Sequence, residues 1–267
     1  MVTDRTATYL DRIVAAHRQR TASDQRSLTT LHAEARSTAT RTRGFRAAIE
    51  APGLSVIAEI KRRSPSKGDL FAGLDPAIVA QQYSEGGACA LSVLTDEAHF
   101  GGSVADLQVA RGAVSVPVLR KDFTVDLRDV FDTRIMGADS VLLIVAALSD
   151  GELAEFHNAA IDVGLDVLVE THNEAEVERA LAVGASLIGV NQRDLHTFQV
   201  DQERAVRVAK SIPSGIVKVA ESGVRGPSDA KALFAAGFDA VLVGESLVTS
   251  GDPAAATRAL REAANGP

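Results

Sequence analysis

The stretch ELAEFHNAAIDVGLDVLVETH, residues 152–172, contains the structural unit that decides the fold. Its first part, residues 152–164, carries apolar residues at helical spacing and ends in glycine, which is favoured just past the C-terminus of a helix. The second part, residues 165–170, is mostly apolar and rich in Val and Leu, which is typical of a parallel strand covered on both faces. A helix therefore leads directly into a buried strand, and polar residues follow that strand.

The same unit recurs along the chain from about residue 55. The apolar runs are SVIAEI (55–60), ACALSVL (88–94), VPVLRKD (116–122), DSVLLIVAAL (139–148), LDVLVE (165–170), SLIGVN (186–191), IVKVAES (216–222) and DAVLVG (239–244). Glycine stands shortly before a strand at Gly87, Gly137, Gly184 and Gly237, at intervals of 50, 47 and 53 residues. Each interval holds two strand-helix units, so strand and helix alternate throughout.

Eight strand-helix units can close a barrel without leaving an edge strand. The sequence therefore predicts an α/β protein, a (β/α)8 TIM barrel with an N-terminal helical extension. The alternative is an open doubly wound sheet, but that fold usually carries a G-x-G-x-x-G turn after its first strand, and this chain has none there. A length of 267 residues fits a single barrel domain.

The N-terminal segment is expected to extend that domain. Residues 1–50 are predicted to form a helical extension packed on the barrel, and residues 51–267 the barrel itself. Leu10, Ile13 and Val14 share one face of the first helix, and Ser23-Asp24 is expected to start the second. Many arginines occur here, but acids are interspersed among them, so a solvated helical extension is favoured over a nucleic-acid arm.

Composition excludes several classes of protein. With 28 Lys and Arg against 35 Asp and Glu the formal net charge is −7, which argues against binding to nucleic acid or to a membrane surface. The longest apolar run, Val141 to Leu148, is far shorter than the about 20 residues that span a bilayer. The N-terminus does not resemble a signal peptide, and a single cysteine, Cys89, excludes an intrachain disulfide. We expect a cytoplasmic protein.

Polar residues cluster where the predicted strands end, which is where barrel enzymes place their chemistry. The residues concerned are Glu59 and Lys61, Lys121 and Phe123, Glu170, Asn191 with Arg193, and Glu221-Ser222-Gly223. Helix caps and surface ion pairs also occur at strand ends, but five strands ending in this way favour a site. Side chains alternate along a strand, so two lysines and three glutamates would face each other at the barrel mouth. Lys218 has the opposite parity and is expected to point outward.

Lysines and glutamates at a barrel mouth that excludes water can transfer protons. A protonated lysine can donate to an oxygen that gains charge, and a carboxylate can accept the proton that another step releases. Neither task needs a cofactor. The six histidines show no metal-ligand spacing, so neither a metal nor a cofactor is expected: His17, His32, His99, His157, His172 and His196.

Two loops have the composition of a phosphate site. Residues 221–227 and Gly244-Glu245-Ser246 follow the last two strands, and barrels often bind phosphate with these loops and a short helix N-terminus. Residues 62–68 could add hydroxyl and ammonium donors. Each loop alone is a weak signal, because Gly and Ser are common in any turn.

The motifs, taken in order, closely resemble the indole-3-glycerol phosphate synthase family from about Ser55 to Pro253. They are IAEIKRRSPSKG, LSVLTDEAHFGGS, PVLRKDF, VLLIVAAL, LVETH, IGVNQRDL, VAESGVRG and VLVGESLV. The resemblance implies a carbon-carbon lyase of tryptophan biosynthesis. Its substrate, 1-(2-carboxyphenylamino)-1-deoxyribulose 5-phosphate, would be cyclised, decarboxylated and dehydrated to indole-3-glycerol phosphate.

The resemblance also implies roles for individual residues. Lys121 would be the general acid of ring closure, Glu170 the general acid and base of dehydration, and Lys61 the group that binds the substrate carboxylate. Glu59 and Asn191 would complete the catalytic set, with the division of proton steps among Lys61, Lys121, Glu59 and Glu170 left open. The implied substrate-binding residues are Ser64, Phe100, Phe123, Arg193, Glu221, Ser222, Gly223, Gly244 and Glu245. Phe100 and Phe123 would pack on the anthranilate ring.

Two rival functions are weighed against this one. A barrel aldolase would form a Schiff base through Lys121, whose pKa would then have to be lowered by burial or by a neighbouring cation such as Lys61. A duplicated barrel kept as a binding or scaffold protein would have lost an acid or a base, and Lys61, Lys121 and Glu170 are all present. Oligomeric state is not decided, although the resemblance implies that a monomer is sufficient.

The chain departs from the family pattern at two places. Gln192 stands where a smaller residue or Asn is common, and it is expected to alter the mouth near Asn191. Residues 132–134, Asp-Thr-Arg, replace Glu-Ala-Arg on the third helix, a change expected to be structural. The first fifty residues match only loosely, so the resemblance does not indicate how the extension covers the site.

Overall fold

The protein folds as a closed parallel barrel, which confirms the predicted fold class. The computed structural model describes residues 8–64, 67–71, 73–193 and 199–265, and within these ranges eight parallel strands form one ring. The barrel strands are β1 Ser55–Ile60, β2 Ala90–Leu94, β3 Val118–Lys121, β4 Ser140–Ile144, β5 Asp166–Thr171, β6 Leu187–Asn191, β7 Val217–Glu221 and β8 Ala240–Val243. Strands β1 and β8 pair with Ser55 opposite Ala240, which closes the ring.

Helices follow the strands and surround the ring. Their bounds are α1 Tyr9–Ala22, α2 Leu28–Ser37, α3 Phe45–Ile49, α4 Pro76–Glu85, α5 Glu97–Phe100, α6 Val104–Ala113, α7 Leu127–Ile135, α8 Asp150–Asp162, α9 Glu174–Ala182, α10 Gln202–Ala209, α11 Pro227–Ala235, α12 Glu245–Val248 and α13 Pro253–Asn265. A short antiparallel hairpin pairs Arg63–Ser64 with Gly68–Asp69 after β1. Among the helices in the described ranges, none combines the length and the apolar character needed to cross a membrane.

Alternating strand residues separate the core into two layers. One set fills the interior of the barrel: Ile57, Ala90, Leu119, Leu142, Ile144, Leu168, Leu187, Val217, Val219, Ala240 and Leu242. The other set packs between the strands and the surrounding helices: Val56, Ala58, Leu91, Val93, Val118, Val141, Leu143, Val167, Val169, Ile188, Val190, Ala220, Val241 and Val243. Burial on both faces explains why the strands read as continuous apolar runs.

The fourth apolar run is longer than the strand it contains. DSVLLIVAAL continues to Leu148, but β4 ends at Ile144 and residues Val145–Ala147 form a 3₁₀ turn. Val145 and Leu148 are buried in the outer apolar layer, so the run stays apolar although the chain has left the sheet. Periodicity cannot separate a buried strand from a buried turn that continues it.

The N-terminal segment spans the barrel from one end to the other. Leu10 and Ile13 of α1 are buried at the mouth, while Phe45 and Ile49 of α3 join the interior cluster at the opposite end. Helix α2, which packs against α7, begins later than the sequence predicts, since Ser27 is its N-cap. The expected start signal at Ser23 is instead the C-cap of α1, because Ser is found at helix ends of both kinds.

Aspartates at the N-terminal ends of the strands hold α3 in place. Asp139 Oδ1 accepts the backbone N–H of Arg43 at 2.9 Å, and its Oδ2 accepts that of Val118 at 2.8 Å. Asp166 Oδ2 accepts the backbone N–H of Arg46 at 3.0 Å. The bond to Arg46 satisfies a donor in the first turn of the short helix, and Asp139 connects the chain just before α3 to β3.

The contact between α4 and α13 closes the outer ring and yields a test of packing. A Cβ added at Gly86, which follows α4, would lie 2.5 Å from the backbone oxygen of Ala254. We expect Gly86→Ala to lower the free energy of unfolding by about 1 to 3 kcal/mol, as overpacking usually does. Urea unfolding followed by circular dichroism would measure the change.

Gly112→Ala is the matched control. Gly112 lies on the exposed face of α6, and an added Cβ there would meet nothing within 4 Å. Because alanine favours helix over glycine, this variant should gain about 0.5 to 1 kcal/mol. Equal destabilisation of both variants would contradict the assignment of the α4–α13 contact as tightly packed.

Candidate active site

At the mouth of the barrel, the inward-pointing side chains of the strands are polar. Glu59, Lys121, Glu170, Asn191 and Glu221 have the same parity on their strands as the apolar interior residues. Lys61 lies just beyond β1 with that parity, as the sequence predicts. The cavity at the mouth is about 160 Å³ in volume and is lined by Tyr9, Leu10, Ile13, Glu59, Lys61, Ser64, Leu94, Phe100, Lys121, Asp122, Phe123, Leu142, Ile144, Glu170, Asn191, Arg193 and Glu245. The structure therefore brings most of the predicted site residues together.

Lys121 stands between two buried carboxyl groups. Its Nζ lies 3.4 Å from Glu170 Oε2 and 3.8 Å from Glu221 Oε2. Burial alone would lower the pKa of Lys121, but Glu170, Glu221 and Glu59 outweigh it and raise this pKa above its usual value. Lys121 therefore carries a proton that it can donate into the cavity.

Glu170 is ionised although it is almost fully buried. Its Oε1 accepts a hydrogen bond of 3.0 Å from Asn191 Nδ2, and His172 Nε2 lies 3.4 Å from the same oxygen. Burial would raise the pKa of Glu170, but Lys121 and His172 hold it below its usual value. This carboxylate can therefore accept a proton from a group in the cavity.

Glu221 has the opposite protonation state. Burial and the charge of Glu170 raise the pKa of Glu221 well above its usual value, in spite of Lys121. Neither of its carboxyl oxygens has a hydrogen-bond partner among the described residues. Two carboxyl groups beside one ammonium group thus share a single negative charge, as neighbouring acids do when they cannot both ionise.

The second lysine has its own carboxylate. Lys61 Nζ donates to Glu59 Oε1 at 2.5 Å, and both side chains line the cavity. A Cβ added at Gly244 would lie 2.5 Å from Glu59 Oε1, so the loop after β8 must carry glycine to approach this pair. Lys61 is therefore anchored at the border between the cavity and that loop.

Aromatic rings form one wall of the cavity. The rings of Phe100 and Phe123 have centroids 6.2 Å apart, and His17 of α1 lies 5.3 Å from Phe123. Tyr9 on α1 contacts the ring of His99 edge-on at 6.0 Å. The sequence does not indicate that α1 contributes to this wall, because no short-range pattern shows where an amphipathic helix docks.

His17, Asp96 and His99 also come together beside this wall, although their spacing in the sequence gives no indication of it. His17 Nε2 lies 2.8 Å from Asp96 Oδ2, while Arg20 donates to His17 Nδ1 at 2.8 Å. A guanidinium group can only donate, so Nδ1 is the acceptor and Nε2 carries the proton that Asp96 accepts. That tautomer suits a hydrogen-bonded connection between α1 and α5 and does not leave Nε2 free to ligate a metal.

A second cavity of about 500 Å³ adjoins the first, and Glu59, Lys61, Arg193 and Glu245 line both. Its other lining residues are Lys67, Val200, Gln202, Ser222, Gly223, Val224, Arg225, Leu242, Val243, Gly244, Ser246 and Thr249. Here the predicted phosphate loops after β7 and β8 meet. Ser64 differs from the other residues of the predicted phosphate set in lining only the first cavity. Pro65, Ser66 and His196 lie outside the described residues.

The loop after β7 has an unusual backbone. Ser222 adopts a left-handed conformation with φ 65°, which is uncommon for a residue other than glycine. Gln192 Nε2 donates to the Ser222 carbonyl at 2.7 Å, and the Gln192 side chain is fully buried. The departure from the family pattern at residue 192 therefore supports the loop after β7. The departure at Thr133 is structural, since its hydroxyl accepts from Arg120 at 3.0 Å.

Distant structural likenesses reflect the fold alone. A thiamine phosphate pyrophosphorylase from Pyrococcus furiosus superimposes with a TM-score of 0.61 at 17% identity, over 79% of this chain and 95% of the other. A 3-hexulose-6-phosphate synthase superimposes with a TM-score of 0.64 at 18% identity, over 79% of this chain and 100% of the other.

Sequence comparisons identify a family. The family model for indole-3-glycerol phosphate synthase matches residues 10–260. Proteins of that name are similar to this chain: one from a Nocardioides species is 53% identical over 79% of this chain and 81% of its own length. Those from Paenarthrobacter aurescens and Mycolicibacterium gilvum are 55% and 51% identical, over 75% and 83% of this chain and 74% and 81% of their own lengths. With its barrel, its paired lysines and its buried carboxyl groups, the chain belongs to the indole-3-glycerol phosphate synthase family.

Proposed function

We propose that this chain converts 1-(2-carboxyphenylamino)-1-deoxyribulose 5-phosphate to indole-3-glycerol phosphate with Lys121, Glu170 and Lys61 as its proton-transfer and charge-stabilising groups. Family membership supports the activity, that of a carboxy-lyase in tryptophan biosynthesis acting on a phosphorylated small molecule. The observation that carries the residue roles is the convergence of both lysines and Glu170 on one cavity.

Lys121 is the general acid of ring closure. Ring closure develops negative charge on the oxygen of the substrate ketone, and a positioned ammonium group can protonate that oxygen. The raised pKa of Lys121 keeps it protonated and argues against the aldolase alternative, because a Schiff base starts from the neutral amine. Lys61 does not supply a repelling cation, since it is paired with Glu59.

Glu170 is the acid and base of dehydration. Its ionised carboxylate accepts the proton that must leave before the hydroxyl group departs, and the acid formed can then protonate the leaving oxygen. Asn191 holds one of its oxygens, and Lys121 lies close to the other. Lys121 and Glu170 thus serve successive steps, ring closure and dehydration, at one position in the cavity.

Lys61 binds the substrate carboxylate until it is lost as carbon dioxide. The cyclised iminium accepts the electrons that decarboxylation releases, so the protein needs to supply position and charge stabilisation. Glu59 orients Lys61, and Arg193, whose backbone N–H donates to Asn191 Oδ1 at 3.0 Å, orients the sugar hydroxyls. Glu221, neutral beside Lys121, lines neither cavity, so it acts through Lys121.

The two ends of the substrate fit the two cavities. Phe100 and Phe123 flank the anthranilate ring in the first cavity. In the second, the phosphate is bound by the hydroxyl and backbone groups of Ser222, Gly223, Gly244 and Glu245, and Ser64 contributes from the adjoining first cavity. Glycine permits this approach, since an added Cβ at Gly223 would lie 2.3 Å from Val200 Cγ1.

We infer a cytoplasmic protein that acts as one domain, with residues 1–50 as an extension of the barrel at residues 51–267. One chain contains both cavities, so a monomer is sufficient for activity. No nucleic acid, membrane, metal or cofactor enters the proposed reaction.

Removal of the general acid should slow the reaction. Lys121→Met keeps the bulk of the side chain but removes the donated proton, so kcat should fall by about 10²-fold or more. Incubating the protein with the carboxyphenylamino-deoxyribulose phosphate and following indole fluorescence measures the rate. The matched control is Lys218→Met on the outward face of β7, which should keep near-native activity. Near-native activity of Lys121→Met would show that another group is the acid.

If the loops after β7 and β8 bind the substrate phosphate, inorganic phosphate should inhibit the enzyme. Inorganic phosphate should compete with substrate, raising KM and leaving kcat unchanged, because it resembles only one end of the substrate. Initial rates would be measured with added phosphate and with chloride at the same ionic strength, since screening affects both salts alike. A KM that does not respond to phosphate would argue against binding between the loops after β7 and β8.

A further inference from the structure

His172 connects the barrel mouth to the first turn of α9. The residue follows β5 directly and is buried. Its Nε2 lies 3.4 Å from Glu170 Oε1, and its Nδ1 lies 3.0 Å from Glu176 Oε2. The ring therefore lies between two carboxylates, one facing the cavity and one near the surface.

We propose that His172, held as an imidazolium between Glu170 and Glu176, is a positioning residue that sets the ionisation of Glu170. The inference rests on the proposed function of Glu170 as acid and base. His172 does not line the cavity, so it acts through Glu170 and not on the substrate. None of the roles inferred from the sequence involves this residue.

The contacts of the ring favour its charged form. Burial would lower the pKa of His172, but the interactions with the neighbouring carboxylates of Glu170 and Glu176 raise it to about 9. Among the described residues, Glu170 on β5 and Glu176 on α9 are the charged groups that face the ring, and Lys121 on β3 lies on the far side of Glu170. Within 4 Å of the ring nitrogens, the described part of the chain thus places two carboxylates, those of Glu170 and Glu176.

Glu176 is itself fixed in place. Its Oε2 accepts the backbone N–H of His172 at 2.8 Å, and its Oε1 accepts from Asn173 Nδ2 at 2.9 Å. These bonds belong to the N-terminus of α9, where a carboxylate is favoured by the helix dipole. The second anion is thus held by the fold and does not depend on the cavity.

A purely structural role does not account for the other ring nitrogen. His172 Nε2 is buried and has no hydrogen-bond partner among the described residues, although Glu170 lies nearby. A buried donor without a partner costs free energy, and an apolar residue at this position would avoid the cost. The placement is explained if the charge of the ring matters to Glu170, because the attraction does not require hydrogen-bond alignment.

The charge of His172 has a direction of effect that can be measured. A neighbouring cation lowers the pKa of Glu170, so removing it moves the acid limb of the activity profile to higher pH. Loss of the imidazolium proton removes the same cation from the native enzyme. An alkaline limb is therefore expected at a pH of about 9, where kcat falls to the level of His172→Gln. Weakening Glu176 lowers the pKa of His172 and moves that limb to lower pH.

The experiment compares kcat and KM across pH for the full-length native enzyme, His172→Gln and Glu176→Gln. For His172→Gln we expect kcat at about pH 7 to fall about tenfold, less than the loss of a general acid, with KM within about twofold. For Glu176→Gln, whose amide oxygen can still accept the backbone N–H of His172, the alkaline limb should move to lower pH while kcat at low pH is kept. Circular dichroism verifies that each variant folds.

His32→Gln is the matched control, since it removes a histidine–carboxylate pair on the surface, His32–Asp162 at 2.6 Å. Its profile should equal that of the native enzyme. The proposal is overturned if His172→Gln keeps the native kcat and both limbs, or if Glu176→Gln leaves the alkaline limb in place. A Glu170→Gln variant separates the two hypotheses: full activity in that variant refutes the proposed function itself, whereas its inactivity beside a normal His172→Gln refutes only this inference.

Discussion

Burial of two carboxyl groups beside one ammonium group is the constraint on which the site depends. Glu170 and Glu221 both point into the barrel next to Lys121, and one cation cannot neutralise two anions out of water. The pair therefore divides, with Glu170 ionised and Glu221 neutral. The cavity is thereby left with a proton donor, Lys121, and a proton acceptor, Glu170, which is what chemistry with successive proton transfers requires.

The surroundings of the cavity maintain that division. Asn191 and His172 contact Glu170 and favour its charged form, whereas Glu221 lies where the barrel offers it no donor among the described residues. Gly189 on β6 leaves room for the Glu221 carboxyl group, since an added Cβ there would lie 1.9 Å from Glu221 Oε1. The protonation states therefore follow from which strand each acid occupies and which side chain faces it.

The sequence was sufficient for the barrel and for most of the cavity lining, because both follow from local rules. Alternating parity places Glu59, Lys121 and Glu170 in the same rows as the apolar interior, and this holds in any closed ring of parallel strands. The features that were missed depend on contacts between distant segments. The docking of α1 on the aromatic wall is one such feature, and the support that Gln192 gives to the loop after β7 is another.

The path of residues 8–49 has a consequence for biosynthesis. The partners of α1 at the mouth include Asp96 and Phe123, far along the chain, and the ring closes only when Ala240 meets Ser55. Translation proceeds from the N-terminus to the C-terminus. The segments of α1 and α3 are therefore synthesised before the surfaces that will bury Leu10, Phe45 and Ile49. Those apolar side chains therefore lack their packing partners during translation until the later strands have been synthesised.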